Sequence, residues 1–379
     1  MFKYLLWGAA ALVALSLAGF GGWMLTLAPG PGSAEAPAVP QAEADALLAA
    51  LKPRRERPVV AVIGLNDATE TTDYLMPTGI LRRADVAEVT MLATGPGPVQ
   101  LYPALRVEPD ATVAAFDAAH PEGADYVIVP AMSRDDDPAV MAWLQSQARK
   151  GATIIGICAG AKVVAAAGLL DGKRATTHWY YLAEMLKRSP SIRYVADRRM
   201  VADGRVATTT GISASMPMML TLIEAIGGRA KAEAVAQDLG VDTWDARHAS
   251  AAFRFNRRFA ATVLANSMAF WKHEEQGLRL EPGMDEVSLA LVADAWSRTY
   301  RSSAWTYAAS TDAVETSNGL RVIPDRPEAG TTAPDADRAS IFPELKPVDA
   351  LDRTLEAIAA RYGAPTAEVV AMQLEYPRR

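Results

Sequence analysis

The feature that most constrains this fold is a buried run that ends in a tight turn around a cysteine. Residues 153–157 read Thr-Ile-Ile-Gly-Ile, the turn Gly156–Gly160 reads Gly-Ile-Cys-Ala-Gly, and a helical pattern follows over 161–170. Small residues flank a nucleophile in such a position because a strained strand-to-helix turn leaves no room for side chains. The pattern therefore predicts a nucleophile elbow centred on Cys158.

Short apolar runs alternate with longer helical patterns before this turn. The predicted strands are Val59–Gly64, Glu88–Ala93, Tyr126–Pro130 and Thr153–Ile157, and the predicted helices between them are Thr71–Ala84 and Pro138–Lys150. Near-continuous apolar strands separated by helices indicate a parallel sheet that is covered on both faces. We expect an α/β, flavodoxin-like doubly wound parallel sheet, with its site at the carboxyl ends of the strands.

Composition along the chain suggests four segments. We expect a transmembrane anchor over 1–28, an Ala/Pro-rich linker over 29–57, the α/β domain over 58–240 and a C-terminal α+β extension over 241–379. The α/β segment has an ordinary domain size.

The extension contains a weak internal repeat. Residues 304–310 and 319–325 match residues 88–94 and 104–110 at an offset of 216 and then 215, and the helix over 289–300 aligns with 73–84. A fixed period is the signature of duplicated structural units. The extension is therefore either a degenerate half-copy, with Leu289 in place of Asp73 and no cysteine turn, or a pair of stretches that only share composition.

The N-terminal stretch is strongly apolar. Residues 4–28 carry no charged side chain, and they lie between Lys3 and a Pro-Gly-Pro-Gly sequence. This length can span a lipid bilayer, and it exceeds the apolar core of a cleaved signal peptide. The next basic residue is Lys52, so the positive-inside bias places the N-terminus in the cytoplasm. We expect a single-pass cell-membrane protein with its soluble domain on the extracytoplasmic (periplasmic) side; cleavage near Ala28 is the alternative.

Composition also limits partners and cofactors. A net charge of −6 and a pI near 5.4 offer no basic surface for nucleic acid. One cysteine cannot form an intrachain disulfide or a cysteine-based zinc site. The four histidines, His120, His178, His248 and His273, show no metal-ligand spacing. We expect a small-molecule substrate, no nucleic-acid partner, no cofactor and no metal.

Three stretches together resemble a known family. They are Val127–Pro130 (Val-Ile-Val-Pro), the Gly156–Gly160 turn, and Ala167–Trp179 (Ala-Gly-Leu-Leu-Asp-Gly-Lys-Arg-Ala-Thr-Thr-His-Trp). They resemble the DJ-1/PfpI family of the class I glutamine amidotransferase-like superfamily, especially the amidotransferase-like domains of AraC-type regulators and isonitrile hydratases. The resemblance covers residues 58–240. It implies a homodimer.

The resemblance also implies site residues. Cys158 matches the family's nucleophile, His178 the histidine that follows it in many members, and Asp73 the acidic residue on the first helix that approaches the cysteine. A carboxylic acid beside a thiolate can donate a hydrogen bond, and a histidine can carry a proton during attack and release. Helix-start amides, such as that of Ala159, would favour the thiolate or hold an oxyanion.

The sequence departs from the family at two places. Ala131 and Met132 stand where two glycines commonly contribute oxyanion amides, so we expect the Ala131 amide in that role and Met132 against the substrate. Met216-Pro217 replaces a pair that usually ends in Asp. His248 is a further candidate that could reach the substrate from the C-terminal region.

Each assignment has a structural alternative. Cys158 could be a buried inert thiol, His178 a hydrogen-bonded structural histidine, and Asp73 a carboxylate favoured by the helix dipole. Lys162 could add positive field near the sulfur or be solvated. The run Asp135–Asp137 could line the pocket mouth, although an N-cap before Pro138 is the favoured role.

These residues favour a cysteine-dependent hydrolase or hydratase that acts on a small electrophilic substrate. The alternative is a non-catalytic small-molecule-binding or redox-sensing module that uses oxidation of Cys158. A third interpretation is a scaffold that retains the turn. No helix-turn-helix spacing follows residue 240, which disfavours transcriptional regulation.

Overall fold

A computed structural model of the protein describes residues 7, 15–16, 18–30, 32, 35–329 and 338–377. Its α-helices from residue 41 onward are α1 Gln41–Ala50, α2 Thr71–Ala84, α3 Val113–Ala119, α4 Pro138–Arg149, α5 Gly160–Ala166, α6 Leu182–Arg188, α7 Ser215–Gly227, α8 Arg229–Leu239, α9 Arg257–Met268, α10 Glu286–Ser297, α11 Pro347–Tyr362 and α12 Ala364–Gln373. Its strands are β1 Val59–Gly64, β2 Thr69–Glu70, β3 Glu88–Ala93, β4 Val99–Tyr102, β5 Arg106–Glu108, β6 Ala111–Thr112, β7 Tyr126–Val129, β8 Thr153–Gly156, β9 Arg174–Ala175, β10 Arg193–Tyr194, β11 Met200–Asp203, β12 Val206–Thr209, β13 Glu274–Arg279, β14 Ser302–Ala308, β15 Val314–Glu315, β16 Arg321–Val322, β17 Arg326–Pro327 and β18 Arg338–Ala339.

The main sheet has the predicted α/β character. Its strand order is β11-β12-β8-β7-β1-β3-β6, and every pair is parallel except β11 with β12 at the edge. Both faces are covered, because Val60 and Val62 of β1 belong to one apolar cluster while Ala61 and Ile63 belong to another. Full burial of one such aliphatic side chain stabilises the fold by roughly 1.5–3 kcal/mol. The prediction of a parallel sheet from near-continuous apolar strands is confirmed.

Local capping fixes the start of two helices near the site. The Glu70 carboxylate accepts the Asp73 amide at the start of α2. The Asp137 carboxylate accepts the Ala139 and Val140 amides at the start of α4, with Pro138 in the first turn. The N-cap predicted for the Asp135–Asp137 run is therefore made by Asp137.

The C-terminal part contains a second parallel sheet. Its order is β17-β14-β13-β18, and each neighbouring pair is parallel. The predicted α+β character of the extension is therefore wrong. The physical reason is that β13 and β14 are joined through α10, and a helical crossover returns the chain in the same direction.

A third sheet joins the two parts of the chain. Its order is β15-β16-β5-β4-β2, so a C-terminal hairpin continues a hairpin of the first part. Helix α10 packs against α2 beside this sheet and is buried from Glu286 to Trp296. The C-terminal part thus packs along α2 instead of trailing away from it.

The predicted transmembrane helix over 4–28 is wrong. Among the described residues, no helix is long and apolar enough to cross a bilayer; residues 4–6, 8–14 and 17 of that segment lie outside them. The end of the segment contacts protein: the Arg257 guanidinium donates to the carbonyls of Met24, Leu25 and Leu27, and the Trp23 ring lies 6.0 Å from that of Phe255. The single-pass extracytoplasmic location and the bilayer contact inferred from that helix lose their basis with it.

Candidate active site

The turn after β8 has the geometry of a nucleophile elbow. Cys158 adopts φ 54°, in the left-handed region that costs a non-glycine residue energy. A Cβ on Gly160 would lie 2.0 Å from the Val129 carbonyl oxygen, and one on Gly156 would lie 3.0 Å from the backbone of Ala161. The two glycines are therefore required by close backbone approach.

Hydrogen bonds from neighbouring threonines hold the elbow in place. The Cys158 amide donates to the Thr209 hydroxyl over 2.9 Å, and the Thr177 hydroxyl donates to the Cys158 carbonyl over 3.0 Å. The cysteine is only 4% exposed. Because both backbone groups of the strained residue are paired, the sulfur has a fixed position at the carboxyl end of β8.

A cavity of about 390 Å³ opens onto the sulfur. Its lining includes the predicted site residues Cys158, His178, Ala131, Ala159 and Met132. The remaining lining residues are Ala68, Glu70, Tyr102, Ser133, Lys162, Trp179, Tyr180, Tyr181, Ile212, Phe259, Arg298, Tyr300 and Gln373. The predicted substrate residue His248 does not line this cavity; it lines a neighbouring cavity of about 470 Å³ and stacks on the Phe253 ring.

Asp73 lies fully buried behind the cavity wall. Its Oδ2 accepts the Ala131 amide over 3.0 Å, while its buried Oδ1 has no hydrogen-bond partner among the described residues. Burial, and next the charge of Glu70, raise the pKa of Asp73 well above its usual value. The free oxygen is thus suited to carry a proton.

The charge state of the thiol is set by the same surroundings. Burial raises the pKa of Cys158 well above its usual value, followed by the charges of Asp73, Glu70 and Glu375, while the Ala159 amide lowers it. The helix-start amide of Ala159 therefore favours the thiolate, but burial outweighs it. Since the charge of Asp73 raises the pKa of Cys158, protonation of Asp73 favours loss of the thiol proton.

His178 is held by two hydrogen bonds that do not involve the thiol. Its Nδ1 accepts the Tyr180 amide over 3.2 Å, and its Nε2 lies 2.9 Å from the Gln373 carbonyl, which requires a proton on Nε2. Burial lowers the pKa of His178 to about 4. Within the described residues, no hydrogen bond joins His178 to Cys158, so this neutral imidazole can transfer a proton only after one of its bonds breaks.

The two amides expected at an oxyanion site have different partners. The Ala131 amide donates to Asp73, whereas the Ala159 amide points at the sulfur. An oxygen that forms on a carbon bound to the sulfur would lie next to the Ala159 amide. The Ala131 amide instead fixes the orientation of the Asp73 carboxyl group.

Lys162 neither faces solvent nor supplies free charge to the sulfur. Its ammonium group lies 2.7 Å from Asp135, 2.9 Å from Glu184 and 4.7 Å from the centre of the Tyr181 ring. Asp135 also pairs with Arg188. These ion pairs neutralise Lys162 at the cavity wall. Among the described residues, no group of three or more His, Cys, Asp or Glu side chains is arranged to hold a metal ion.

Sequence reasoning missed a second layer of charged residues. Arg298 donates to Glu70 over 2.7 Å and to Asp294 over 2.7 Å. The Gln373 side-chain amide donates to the Arg298 carbonyl over 2.9 Å. The buried Glu375 carboxylate accepts the amides of Trp179 and Gly211. Arg298, Gln373 and Glu375 lie more than 100 residues after the cysteine turn, so no local pattern pointed to them.

A parallel α/β domain that carries a cysteine on a strained strand-to-helix turn, beside a buried carboxyl group, has the architecture of the class I glutamine amidotransferase-like proteins. The family model described as DJ-1/PfpI family matches residues 59–225. The chain is 30% identical over 183 residues to the Parkinson disease protein 7 homolog of Danio rerio, which covers 47% of this chain and 93% of that protein. The chain belongs to the DJ-1/PfpI family.

Two further relatives come from the groups that the sequence resembled. The HTH-type transcriptional regulator CdhR of Pseudomonas aeruginosa is 41% identical over 86 residues, or 23% of this chain and 25% of that protein. The isonitrile hydratase of Pseudomonas putida is 40% identical over 93 residues, or 24% of this chain and 40% of that protein. The predicted family is confirmed, and these two matches span less than half of each relative.

Proposed function

We propose that the protein is a cysteine-dependent enzyme that adds water to, or hydrolyses, a small electrophilic molecule. The observation that carries this proposal is the pairing of a cysteine on a strained turn with the unpartnered buried oxygen of Asp73, at a cavity of about 390 Å³. A purely structural cysteine requires neither the strain at φ 54° nor an orphaned carboxyl oxygen.

Asp73, rather than His178, is the proton partner in this proposal. As Cys158 attacks, its S–H bond breaks, the proton passes to the Asp73 carboxylate, and the sulfur forms a bond to the electrophilic carbon. With an isonitrile, Asp73 returns the proton to the attacked carbon, which leaves a thioimidate on Cys158. With an amide, the displaced electron pair moves to the carbonyl oxygen and returns as the C–N bond breaks, Asp73 gives its proton to the departing nitrogen, and a thioester remains. With a reactive aldehyde, the proton goes to the carbonyl oxygen of a hemithioacetal. Water then adds to the thioimidate or thioester carbon, and its first proton passes through Asp73 to the substrate nitrogen or oxygen. The C–S bond breaks, the sulfur takes the second proton, and a formamide or a carboxylic acid leaves the restored thiol.

The raised pKa of the thiol is compatible with this order of reaction steps. The negative charge of Asp73 opposes a thiolate, but that opposition ends once Asp73 has accepted the proton. The protonated carboxyl group then acts as a donor toward the sulfur. Proton transfer and attack are therefore coupled, and the resting enzyme holds a neutral thiol.

The cavity favours a small substrate with an apolar part. Tyr102, Tyr180 and Tyr300 are lining residues that are each more than 40% exposed, so they form the mouth, and Met132 is buried at the wall. A relative named isonitrile hydratase makes an isonitrile the first substrate class to test. Amides and reactive aldehydes complete the panel, because each offers an electrophilic carbon.

The test is turnover of an alkyl isonitrile, a primary amide and a reactive aldehyde by the full chain, followed by chromatography of the products. We expect at least one class to be consumed by the wild-type protein, and both Cys158→Ser and Cys158→Ala to reduce turnover to background. If no class is consumed, or if Cys158→Ala retains the wild-type rate, the proposed activity is wrong.

The same geometry supports a redox-sensing role as a second candidate. A peroxide would oxidise the thiol to a sulfenic acid and release water, and the Ala159 amide and protonated Asp73 would both face the new oxygen. Treatment with hydrogen peroxide should then add one oxygen to Cys158, and a thiol reductant should remove it. A thiol that stays unmodified under peroxide rules out this candidate.

A further inference from the structure

The C-terminal part repeats the hydrogen-bond register of the first part. Hairpin β15–β16 has the register of hairpin β4–β5, and β14 pairs with β17 as β3 pairs with β6, with each residue number 215 higher. The recurring pairs are Val99–Val107 with Val314–Val322, Gln100–Arg106 with Glu315–Arg321, Leu92–Ala111 with Tyr307–Arg326 and Ala93–Thr112 with Ala308–Pro327. Shared composition would not reproduce register, since a slip of one residue reverses every side chain.

A side-chain bond recurs at the same spacing. The Asp110 carboxylate accepts the Met91 amide over 2.6 Å, and the Asp325 carboxylate accepts the Thr306 amide over 2.7 Å. Both aspartates follow the second strand of a hairpin and reach back to the neighbouring parallel strand. The first unit, residues 59–112, and the second, residues 274–327, therefore share detailed packing as well as topology.

The two units meet across a local twofold axis. Strands β5 and β16 are antiparallel, and Val107 lies opposite Val322, its own counterpart. When equivalent residues face each other in an antiparallel pair, the contact is isologous, as in a twofold dimer. The equivalent helices α2 and α10 also pack on each other.

Reciprocal ion pairs cross this interface. Glu70 is the N-cap of α2 and Asp285 is the N-cap of α10. Arg83, in the last turn of α2, pairs with Asp285, and Arg298, at the end of α10, pairs with Glu70 over 2.7 Å. Each arginine thus binds the carboxylate at the start of the other helix.

We propose that residues 274–327 are a degenerate second copy of the first unit, placed across a local twofold axis as the partner in a dimer would be, and that this copy delivers Arg298 to the Cys158 cavity as a positioning residue. The role given to Arg298 rests on the proposed function of Cys158.

Arg298 acts through Glu70 on the proton pair. Its guanidinium lines the cavity and binds Glu70 Oε1, while Glu70 Oε2 accepts the Thr72 hydroxyl and the Asp73 amide. Arg298 therefore fixes the group that orients the start of α2 and places Asp73. It also adds positive charge near the sulfur, opposing the carboxyl groups there.

The titratable and charged groups around the thiol come from several elements. They are Glu70 and Asp73 at the start of α2, Lys162 on α5, His178 and Tyr181 after β9, Asp294 and Arg298 at the end of α10, and Glu375 after α12. Lys162 is neutralised by Asp135 and Glu184. Arg298 is shared by Glu70 and Asp294, so its removal leaves these carboxyl groups without their cation.

The twofold relation supplies a matched control. Arg83 makes the reciprocal ion pair with Asp285, but it lies at the far end of α2, about 20 Å from Glu70 at 1.5 Å per residue. The second copy has Ser288 in the place of Asp73, because the Asp285 cap accepts the Ser288 amide as the Glu70 cap accepts that of Asp73; the equivalence with Leu289 expected from the sequence is one residue off. Arg83 and Arg298 are thus equivalent in the interface and different in their distance from the thiol.

The experiment measures the rate of Cys158 alkylation by iodoacetamide against pH in the full chain, for wild type, Arg298→Gln and Arg83→Gln, with Tm measured for each. We expect both variants to lower Tm to a similar extent. Arg298→Gln alone should shift the alkylation profile to higher pH, by about one unit, which is about tenfold in rate at a fixed pH below the midpoint.

Equal alkylation profiles for the two variants would overturn the proposal. If Arg298→Gln does not fold, Arg298→Lys against Arg83→Lys carries the test, because lysine keeps the charge but lacks the guanidinium fork. A smaller shift in Arg298→Lys alone then supports the role, and identical profiles contradict it. Alkylation needs no substrate, so absence of turnover in the panel above would not affect this result.

Discussion

The two units of this chain have the same framework and a different chemical content. In the first, β1, α2 and β3 lead on to β7, β8 and the strained Cys158 turn. In the second, β13, α10 and β14 lead to hairpin β15–β16, which has the register of hairpin β4–β5 at residue numbers 215 higher. The second unit has Ser288 where the first has Asp73, and no cysteine.

This comparison separates what packing requires from what chemistry requires. Register, the aspartate that caps the parallel strand and the crossed arginines recur in both units, so they serve the framework. The buried acid whose charge acts on the thiol, Asp73, and the left-handed cysteine occur in the first unit and the strands that follow it. Substitutions in paired positions should therefore have equal effects on stability, and only those at the cavity, such as Arg298, should also change the reactivity of the thiol.

The largest effect is expected at Asp73. Asp73→Asn keeps the shape and the acceptor for the Ala131 amide but cannot take the thiol proton. We expect turnover to fall about 100- to 10,000-fold, the range for loss of a general acid–base, with little change in Tm. A fall of less than about threefold would show that Asp73 belongs to the framework, like its counterpart.

An added side-chain atom should destabilise the first part of the chain most at the Cys158 turn. Gly160→Ala places a Cβ 2.0 Å from the Val129 carbonyl oxygen, so urea unfolding should show a loss of about 3 kcal/mol or more. Gly95→Ala is the control, because its nearest atom would lie 3.5 Å away. Equal losses at both positions would mean that the turn can relax.

Burial of His178 should make the stability of the protein depend on pH. Its pKa is lowered from 6.5 to about 4 in the folded state, so the unfolded chain binds the proton first as pH falls. The contribution to stability is present above pH 6.5 and is lost between pH 6.5 and 4, by up to about 3 kcal/mol. The free energy of unfolding of His178→Gln should not fall in this way between pH 6.5 and 4. If its pH dependence equals that of the wild type, His178 is not a neutral, buried imidazole.

A designed disulfide can test the local twofold axis. Val107→Cys with Val322→Cys, in a Cys158→Ser background, places two thiols on opposing antiparallel positions. We expect a bond within one chain, a band at single-chain mass on non-reducing gels, and about 2–3 kcal/mol of stabilisation. A band at twice that mass would show that β5 and β16 pair between chains.

The smallest effect concerns the paired aspartates. Asp110→Ala and Asp325→Ala each remove the acceptor of one strand amide. We expect each to lower the free energy of unfolding by about 1–2 kcal/mol, with neither changing the alkylation profile of Cys158. Losses that differ by more than about 1 kcal/mol would weaken the equivalence of the two units.

The sequence predicted much of the first unit because the signals there are local. Strands β1 and β3 and helix α2 have the predicted bounds, and β7 and β8 end one residue earlier than predicted. The Gly156–Gly160 turn was predictable because a steric rule limits which residues can flank a strained cysteine. The apolar N-terminal stretch gave a wrong prediction, since hydropathy alone does not show that an end such as Leu27 is capped by Arg257.

Sequence alone determined the parallel α/β framework, the elbow and the family, because strand burial and backbone sterics depend on residues that are close together in the sequence. Tertiary structure decided the content of the site. In the folded chain His178 contacts Gln373, and the Ala131 amide orients Asp73. His248 lines another cavity, and Arg298 pairs with Glu70. These partners are up to 228 residues apart, and packing of whole helices and sheets, rather than any local pattern, sets the distance between them.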